Sequence, residues 1–185
     1  MPNLCGSLPL YVPKRIVSGG QTGVDRAALD AAMELSIEHG GWCPAGRIAE
    51  DGPIPELYML EETKSREYPV RTEQNIADSS ATLILHEGKI KGGTLLTRRL
   101  CSQQGKPYHT VKIGLPMIDT VREWLAIQTP EVLNIAGPRE SSSPGIHSRC
   151  IPTTSAGRRH RLSLFLLNWE EMPTLRAKRG SPNSR

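Results

Sequence analysis

Three short stretches of this chain carry the residue types that hold anions: Gly19-Gly20-Gln21-Thr22-Gly23, Gly92-Gly93-Thr94 and Gly137-Pro138-Arg139-Glu140-Ser141. Glycine has no side chain, so backbone N–H groups can come close to an oxyanion. A helix that starts just after such a turn adds its positive end. Each stretch also suits a tight strand-to-helix turn for purely steric reasons, so one alone says little. Three that follow three predicted strands converge on one edge of an open parallel sheet, where ligands bind in such folds. The chemistry expected there is capture of a phosphate-type group. Neither the G-x-G-x-x-G spacing nor G-x-x-x-x-G-K-[ST] is present, which speaks against a standard dinucleotide enzyme or P-loop ATPase.

Other side chains are candidates for the same cleft. Arg71, Glu73 and Asn75 lie on the helix predicted to enter at Pro69, and Arg71 and Asn75, four apart, share a face. A planar Arg fork beside an amide suits a phosphate or the edge of a heterocycle; the plainer alternative is a solvated helix face. Arg139 is a second anion-binding candidate, against a plain surface Arg. Asp25 reads as the acidic half of a capping-box-like pair with Thr22 as the cap. Glu50-Asp51 is either a catalytic acid pair or two solvated carboxylates. His39, His86, His109, His147 and His160 are scattered, which gives no metal site.

The elements that must position these residues alternate. Residues 15–20 form a short apolar run ending in glycines. Residues 22–36 follow with Ala27, Ala28, Ala31, Ala32 and Leu35 at helical spacing. A short strand is expected within 37–43, then a long stretch, 44–68, rich in Pro, Gly and Glu without periodicity; such a loop in a compact domain is usually functional or mobile. Further expectations are a helix from Pro69 to about 78, a buried strand at 81–86, a helix opened by Gly92-Gly93 and running over 94–104, a strand at 108–113, a helix at 117–128 and a strand at 132–137. Strands alternating with helices predict a Rossmann-like three-layer α/β/α domain around a mostly parallel sheet of five strands or slightly more. The ligand-binding domain is expected over residues 14–146, after an N-terminal extension, 1–13. Beyond it, 147–185 reads as a divergent basic segment, with 162–169 as one last apolar element and 174–185 as a disordered tail.

Composition sets the outer limits. The chain has 185 residues, 37% hydrophobic and 23% charged, enough for one ordinary core; with 4% aromatics that core must be Leu, Ile, Val and Ala. The net charge of +4 misleads: residues 1–145 hold 15 Lys and Arg against 17 Asp and Glu, whereas 146–185 hold 8 against 2. The basic balance belongs to the tail, so the domain lacks the positive face of a nucleic-acid binder. No apolar run approaches the ~20 residues of a membrane helix, and the N-terminus does not read as a secretory signal. Cys5, Cys43, Cys101 and Cys150 stand far apart, as reduced thiols of a cytoplasmic protein would.

Five blocks, Ser18–Ala32 (SGGQTGVDRAALDAA), Gly40–Pro55 (GGWCPAGRIAEDGPIP), Tyr68–Leu85 (YPVRTEQNIADSSATLIL), Gly92–Thr97 (GGTLLT) and Asn134–Ile146 (NIAGPRESSSPGI), resemble the molybdenum carrier family, the molybdenum cofactor carrier proteins. The resemblance implies a Rossmann-like fold within the superfamily of Lonely Guy-type, lysine-decarboxylase-like proteins. It implies homo-oligomers, dimeric or tetrameric, with molybdenum enzymes among the partners. It also implies binding of the molybdenum cofactor (molybdopterin), a phosphorylated pterin whose sulfurs hold the metal. Carried over, the anion site uses Gly19, Gly20, Gln21, Thr22, Gly23, Gly92, Gly93, Thr94, Gly137, Pro138, Arg139, Glu140 and Ser141, with Arg71, Glu73 and Asn75 lining the same cleft. Two departures matter. Lonely Guy-type phosphoribohydrolases carry P-G-G-x-G-T-x-x-E, and here Thr97 stands where the acid is expected, which argues against that hydrolysis. Family members continue into an Ala- and Leu-rich closing helix, whereas 147–161 is rich in Arg and Ser. The rival reading is a nucleotide- or phosphoribosyl-binding hydrolase with Glu73 or Asp25 as acid/base; a nucleotide-sensing module is the third.

Overall fold

Five parallel strands form the central sheet of the computed structural model, which describes residues 11–114 and 118–150. They are β1 (Arg15–Val17), β2 (Glu38–Gly40), β7 (Ala81–His86), β8 (Tyr108–Lys112) and β9 (Val132–Ala136), in the spatial order β2-β1-β9-β7-β8. The last strand among the described residues is thus the middle strand of the sheet, with Ile16 opposite Leu133 on one side and Leu83 opposite Ile135 on the other. The Rossmann-like α/β class and the five-strand count are those expected from the sequence.

Residues of alternate parity decide the two faces. Ile16, Leu83, Leu85, Leu133 and Ile135 point into one apolar cluster with the alanine stripe of α1 (Val24–Glu34), with Val121 and Leu125 of α4 (Ile118–Gln128), and with Ile146 and Cys150 of α5 (Ile146–Cys150). On the other side α2 (Tyr68–Ala77) packs against α3 (Gly92–Gln103), and α3 against β7. Right-handed crossovers require this split, because the connections that run in opposite directions along the sheet place their helices on opposite faces. All the chain reversals that follow the strands' carboxyl ends therefore gather on one edge.

Three expectations need correcting. Thr22 does not cap α1: the helix begins after Gly23 with no side-chain cap, and the Thr22 hydroxyl is engaged elsewhere. The segment 44–68 is packed, not a featureless loop. Strands β3 (Trp42–Cys43) and β6 (Glu61–Glu62) pair in parallel, and β4 (Ile48–Ala49) and β5 (Gly52–Pro53) form an antiparallel hairpin. Cys43, Ala49, Ile54, Tyr58 and Leu60 close a second apolar cluster on Leu29. Arg47 pins it by donating to the carbonyls of Ile54, Leu60, Pro55 and Tyr58 at 2.9–3.1 Å. Two-residue ladders leave no period in a sequence, which is why none was legible. Finally, the ordered pattern does not stop at 146, since α5 follows. The N-terminal extension up to residue 10 and the basic segment from 151 on lie outside the described residues.

Candidate functional site

A cavity of about 820 Å³ opens at the strands' carboxyl edge, between the ends of β7 and β9, the first turns of α2 and α3, and the loop that joins β7 to α3. Its wall includes Gln21, Asp25, Arg71, Gly92, Gly93, Thr94, Gly137, Pro138 and Arg139 from the residues singled out in the sequence. It also includes Tyr68, Glu87, Lys89, Lys91 and Ser143, which sequence reasoning passed over, and His86 and Thr97, which it had not placed in a site. Lys89 and Lys91 had a signal in retrospect: two cations immediately before a double glycine at a helix start.

The three glycine turns do different work. The first is consumed internally. The amide of Val24, at the start of α1, donates to the Pro138 carbonyl at 3.1 Å, and that of Arg26 to Gln21 at 3.2 Å. A β-carbon on Gly23 would lie 2.6 Å from the Pro138 carbonyl oxygen, so this glycine lets two turns touch. Gly20 faces Leu60 and Ile54, and Gly19 is covered by the Arg71 guanidinium. In the third turn the Glu140 amide donates to Thr22 Oγ1 at 3.2 Å and the Ser141 amide to Glu50 at 3.0 Å. Only Gly92-Gly93-Thr94 presents its first-turn amides without a described acceptor, and nothing lies within 4 Å of where side chains on Gly92 and Gly93 would be. Of the three, this turn has the open geometry of an anion cradle.

Arg71 and Asp25 form the buried end of the cavity. Arg71 Nη1 lies 3.2 Å from Asp25 Oδ2, with the side chains 14% and 5% exposed. Burial raises the Asp25 carboxyl above its ordinary value, opposed by the neighbouring guanidinium and by the Gln21 amide. Arg71 Nε is buried with no partner, so most of the guanidinium donors remain uncommitted. Gln21 beside it has a fixed amide: Oε1 accepts from the backbone of Thr22 at 3.0 Å and Glu50 at 2.9 Å, which identifies Nε2 as the donor left for the cavity. The cavity's other carboxylate, Glu87, is held low by Arg149 and the Ser143 hydroxyl. Donors and cations prevail on this wall.

The structure separates Arg71 from its expected companions. Asn75 is buried and clamps Trp42, accepting from its amide at 2.8 Å and donating to its carbonyl at 2.9 Å, and Glu73 is exposed and off the cavity wall. Residues four apart share a face, but here one reaches the sheet edge and the other the backbone of β3. Asn75→Ala is expected to cost about 2–3 kcal/mol, from two lost buried hydrogen bonds and two orphaned backbone groups, without reducing ligand affinity. Urea unfolding beside a binding titration checks both halves. Glu140 is spent on the amides of Gly145 and His147 at the start of α5. Glu50 and Asp51 are both paired, Asp51 two-toothed on Arg26, which holds its carboxyl below the usual range. Among the described residues no group of three His, Cys, Asp or Glu could hold a metal ion, and no helix is long and apolar enough to cross a membrane.

A parallel sheet with helices on both faces defines a Rossmann-like α/β protein, here with a donor-lined cavity at the carboxyl edge of its strands. The chain belongs to the circularly permutated YpsA family of SLOG proteins, whose family model matches residues 16–154. It is also similar to a protein of known crystal structure named "Putative molybdenum carrier protein", from Syntrophus aciditrophicus SB. The two are 41% identical, with a TM-score of 0.73 over 76% of this chain and 92% of that one. No curated protein matches. The resemblance to the molybdenum carrier family is borne out.

Proposed function

We propose that the protein is a molybdenum cofactor carrier, which holds the phosphorylated pterin as cargo in the cavity at the strand ends. The observation that carries this reading is the open cradle of Gly92-Gly93-Thr94, preceded by Lys89 and Lys91, lining the same cavity as the under-used Arg71 guanidinium. The phosphate belongs in the cradle, where amides and the α3 N-terminus favour a dianion. The pterin edge, rich in acceptors, belongs against Arg71 and Gln21. A cavity of this volume suits a cofactor-sized ligand. The 41% identity with a protein named as a molybdenum carrier supports the class of cargo. With this reading goes a cytoplasmic homo-oligomer that delivers to molybdenum enzymes.

A second reading has one observation in its favour. Asp25 is a buried carboxyl on the cavity wall with a raised proton affinity, the property of a general acid. In a nucleotide or phosphoribosyl hydrolase it would protonate the leaving group. Glu73, exposed and off the wall, has no such position.

Thermal shift with molybdenum cofactor, molybdate, AMP, ADP-ribose and phosphate separates the two. A ligand at about 100 times its dissociation constant stabilises the fold by about 2.7 kcal/mol, well within such an assay. A shift with cofactor that none of the smaller anions or nucleotides reproduces is the expected result. A shift with AMP or ADP-ribose, followed by turnover that Asp25→Asn removes, would replace the carrier by the enzyme.

A further inference from the structure

The Glu50 carboxylate sits in a set of donors unusual for a loop fastening. Thr22 Oγ1 and the Ser141 amide (3.0 Å) both donate to its Oε1, and Ser141 Oγ donates to its Oε2. Arg139 Nε lies 3.3 Å from Oε2. Two hydroxyls, one amide and one guanidinium, drawn from two of the glycine turns, are the donors that proteins aim at tetrahedral oxyanions. Burial of Glu50 opposes ionisation, but these hydrogen bonds outweigh it and hold the carboxyl below its ordinary range. The neighbouring acids do not compete: Glu140 is turned to the amides of Gly145 and His147, and Asp51 to Arg26.

Nor is Glu50 the sole fastening of its hairpin. The same β4–β5 hairpin is fastened to α1 through the two-toothed Asp51–Arg26 pair, and the residues on either side pack into the second apolar cluster. Arg139, by contrast, belongs both to this cradle and to the cavity wall. A side chain that is not the sole fastener, carries a negative charge and fills an oxyanion's donors behaves as an internal ligand. We propose that Thr22, Ser141 and Arg139 form a second oxyanion subsite beside the cavity, for ligands of the phosphate class, and that Glu50 competes with them for it.

A tethered competitor at high effective concentration lowers the apparent affinity of a free one, and its removal restores that affinity. Calorimetry with inorganic phosphate, at ionic strength held constant with chloride, should show Glu50→Ala binding at least ten-fold tighter than the wild type. Ser141→Ala placed on that background should return the affinity to the wild-type value. A Glu50→Ala protein that binds phosphate no tighter, or a gain that survives Ser141→Ala, overturns the proposal. Misfolding cannot imitate a gain. Should Glu50→Ala not fold, Glu50→Gln is expected to move affinity in the same direction, since a neutral amide is a weaker partner for Arg139, and no gain there is equally fatal. In the wild type, saturating phosphate should speed amide hydrogen exchange within 48–53 as the carboxylate is displaced; unchanged or slower exchange counts against it. The proposal rests on the anion-binding reading of the cavity only through the shared Arg139. Cofactor binding lost with the phosphate gain intact removes the carrier and spares the subsite, and the reverse removes the subsite alone.

Discussion

Arg71→Ala is expected to weaken binding of a phosphorylated ligand by about 10–100-fold, the worth of a charged hydrogen bond of about 1.5–3 kcal/mol, and to destabilise the fold at neutral pH. The second effect comes from what is left behind. Asp25 is 5% exposed and its charge faces the guanidinium at 3.2 Å. Removing one partner of such a pair costs about 3–5 kcal/mol, because the other stays buried without compensation. The variant can escape by protonating Asp25. Burial already raises this carboxyl above its ordinary value of 3.8, and without Arg71 it rises further. From about that pH upward the folded state keeps a proton that the unfolded chain releases, so stability falls as pH rises. The penalty is therefore smallest near pH 4 and grows toward neutrality. Denaturant unfolding of the wild type and variant at about pH 4.5 and about pH 7.5 measures it. Adding Asp25→Asn to Arg71→Ala should recover most of the loss in stability and none of the loss in binding. A penalty that ignores both pH and Asp25→Asn would mean the pair is not what holds this end of the cavity together.

Gly23→Ala carries the other large effect, and it falls on stability. The residue has φ +78°, and its β-carbon would meet the Pro138 carbonyl oxygen at 2.6 Å and the Glu140 nitrogen at 2.9 Å. The left-handed backbone costs about 1–2 kcal/mol for a residue with a side chain, and overpacking adds about 1–3 kcal/mol. The atoms in the way are backbone, which cannot swing aside. A loss of about 3 kcal/mol or more is expected, or roughly 6–12 °C in Tm for a chain of this size. Gly93→Ala, on the open turn, is the control: nothing lies within 4 Å, so stability should hold while phosphate binding weakens. If Gly23→Ala were harmless to stability and harmful only to binding, the first glycine turn would be a ligand cradle after all.

That contrast shows how far the sequence could be read. The glycine turns, Arg71 and Arg139 were found from residue types alone, because strand order is irrelevant to the rule that βα turns meet at one edge. Which turn opens to the cavity was not legible. It depends on Val24 and Ser141 finding acceptors in segments more than 90 positions away. Asn75 was misjudged for a related reason: helical spacing gives a shared face, not the short strand β3 that lies over part of it. Helices α1 to α4 and the five sheet strands were legible, since alanine and leucine periodicity and long apolar runs are local signals, whereas the short α5 was not. The packed 44–68 segment was not, because its order rests on one Arg47 and scattered apolar side chains instead of a repeat.

The position of β9 has a consequence for how the molecule is made. Synthesis runs from the N-terminus, yet the strand that joins β1 to β7 is among the last described elements to be added. Until residues 132–136 leave the ribosome, the sheet exists as two fragments, β2–β1 and β7–β8, each with an unpaired inner edge. At about 5–20 residues per second the half-sheets wait several seconds for their keystone. Exposed strand edges of this kind recruit other chains. Vectorial synthesis therefore leaves the nascent chain most open to misassembly just before its central strand arrives, and a message truncated before codon 132 would encode two half-sheets with nothing to unite them.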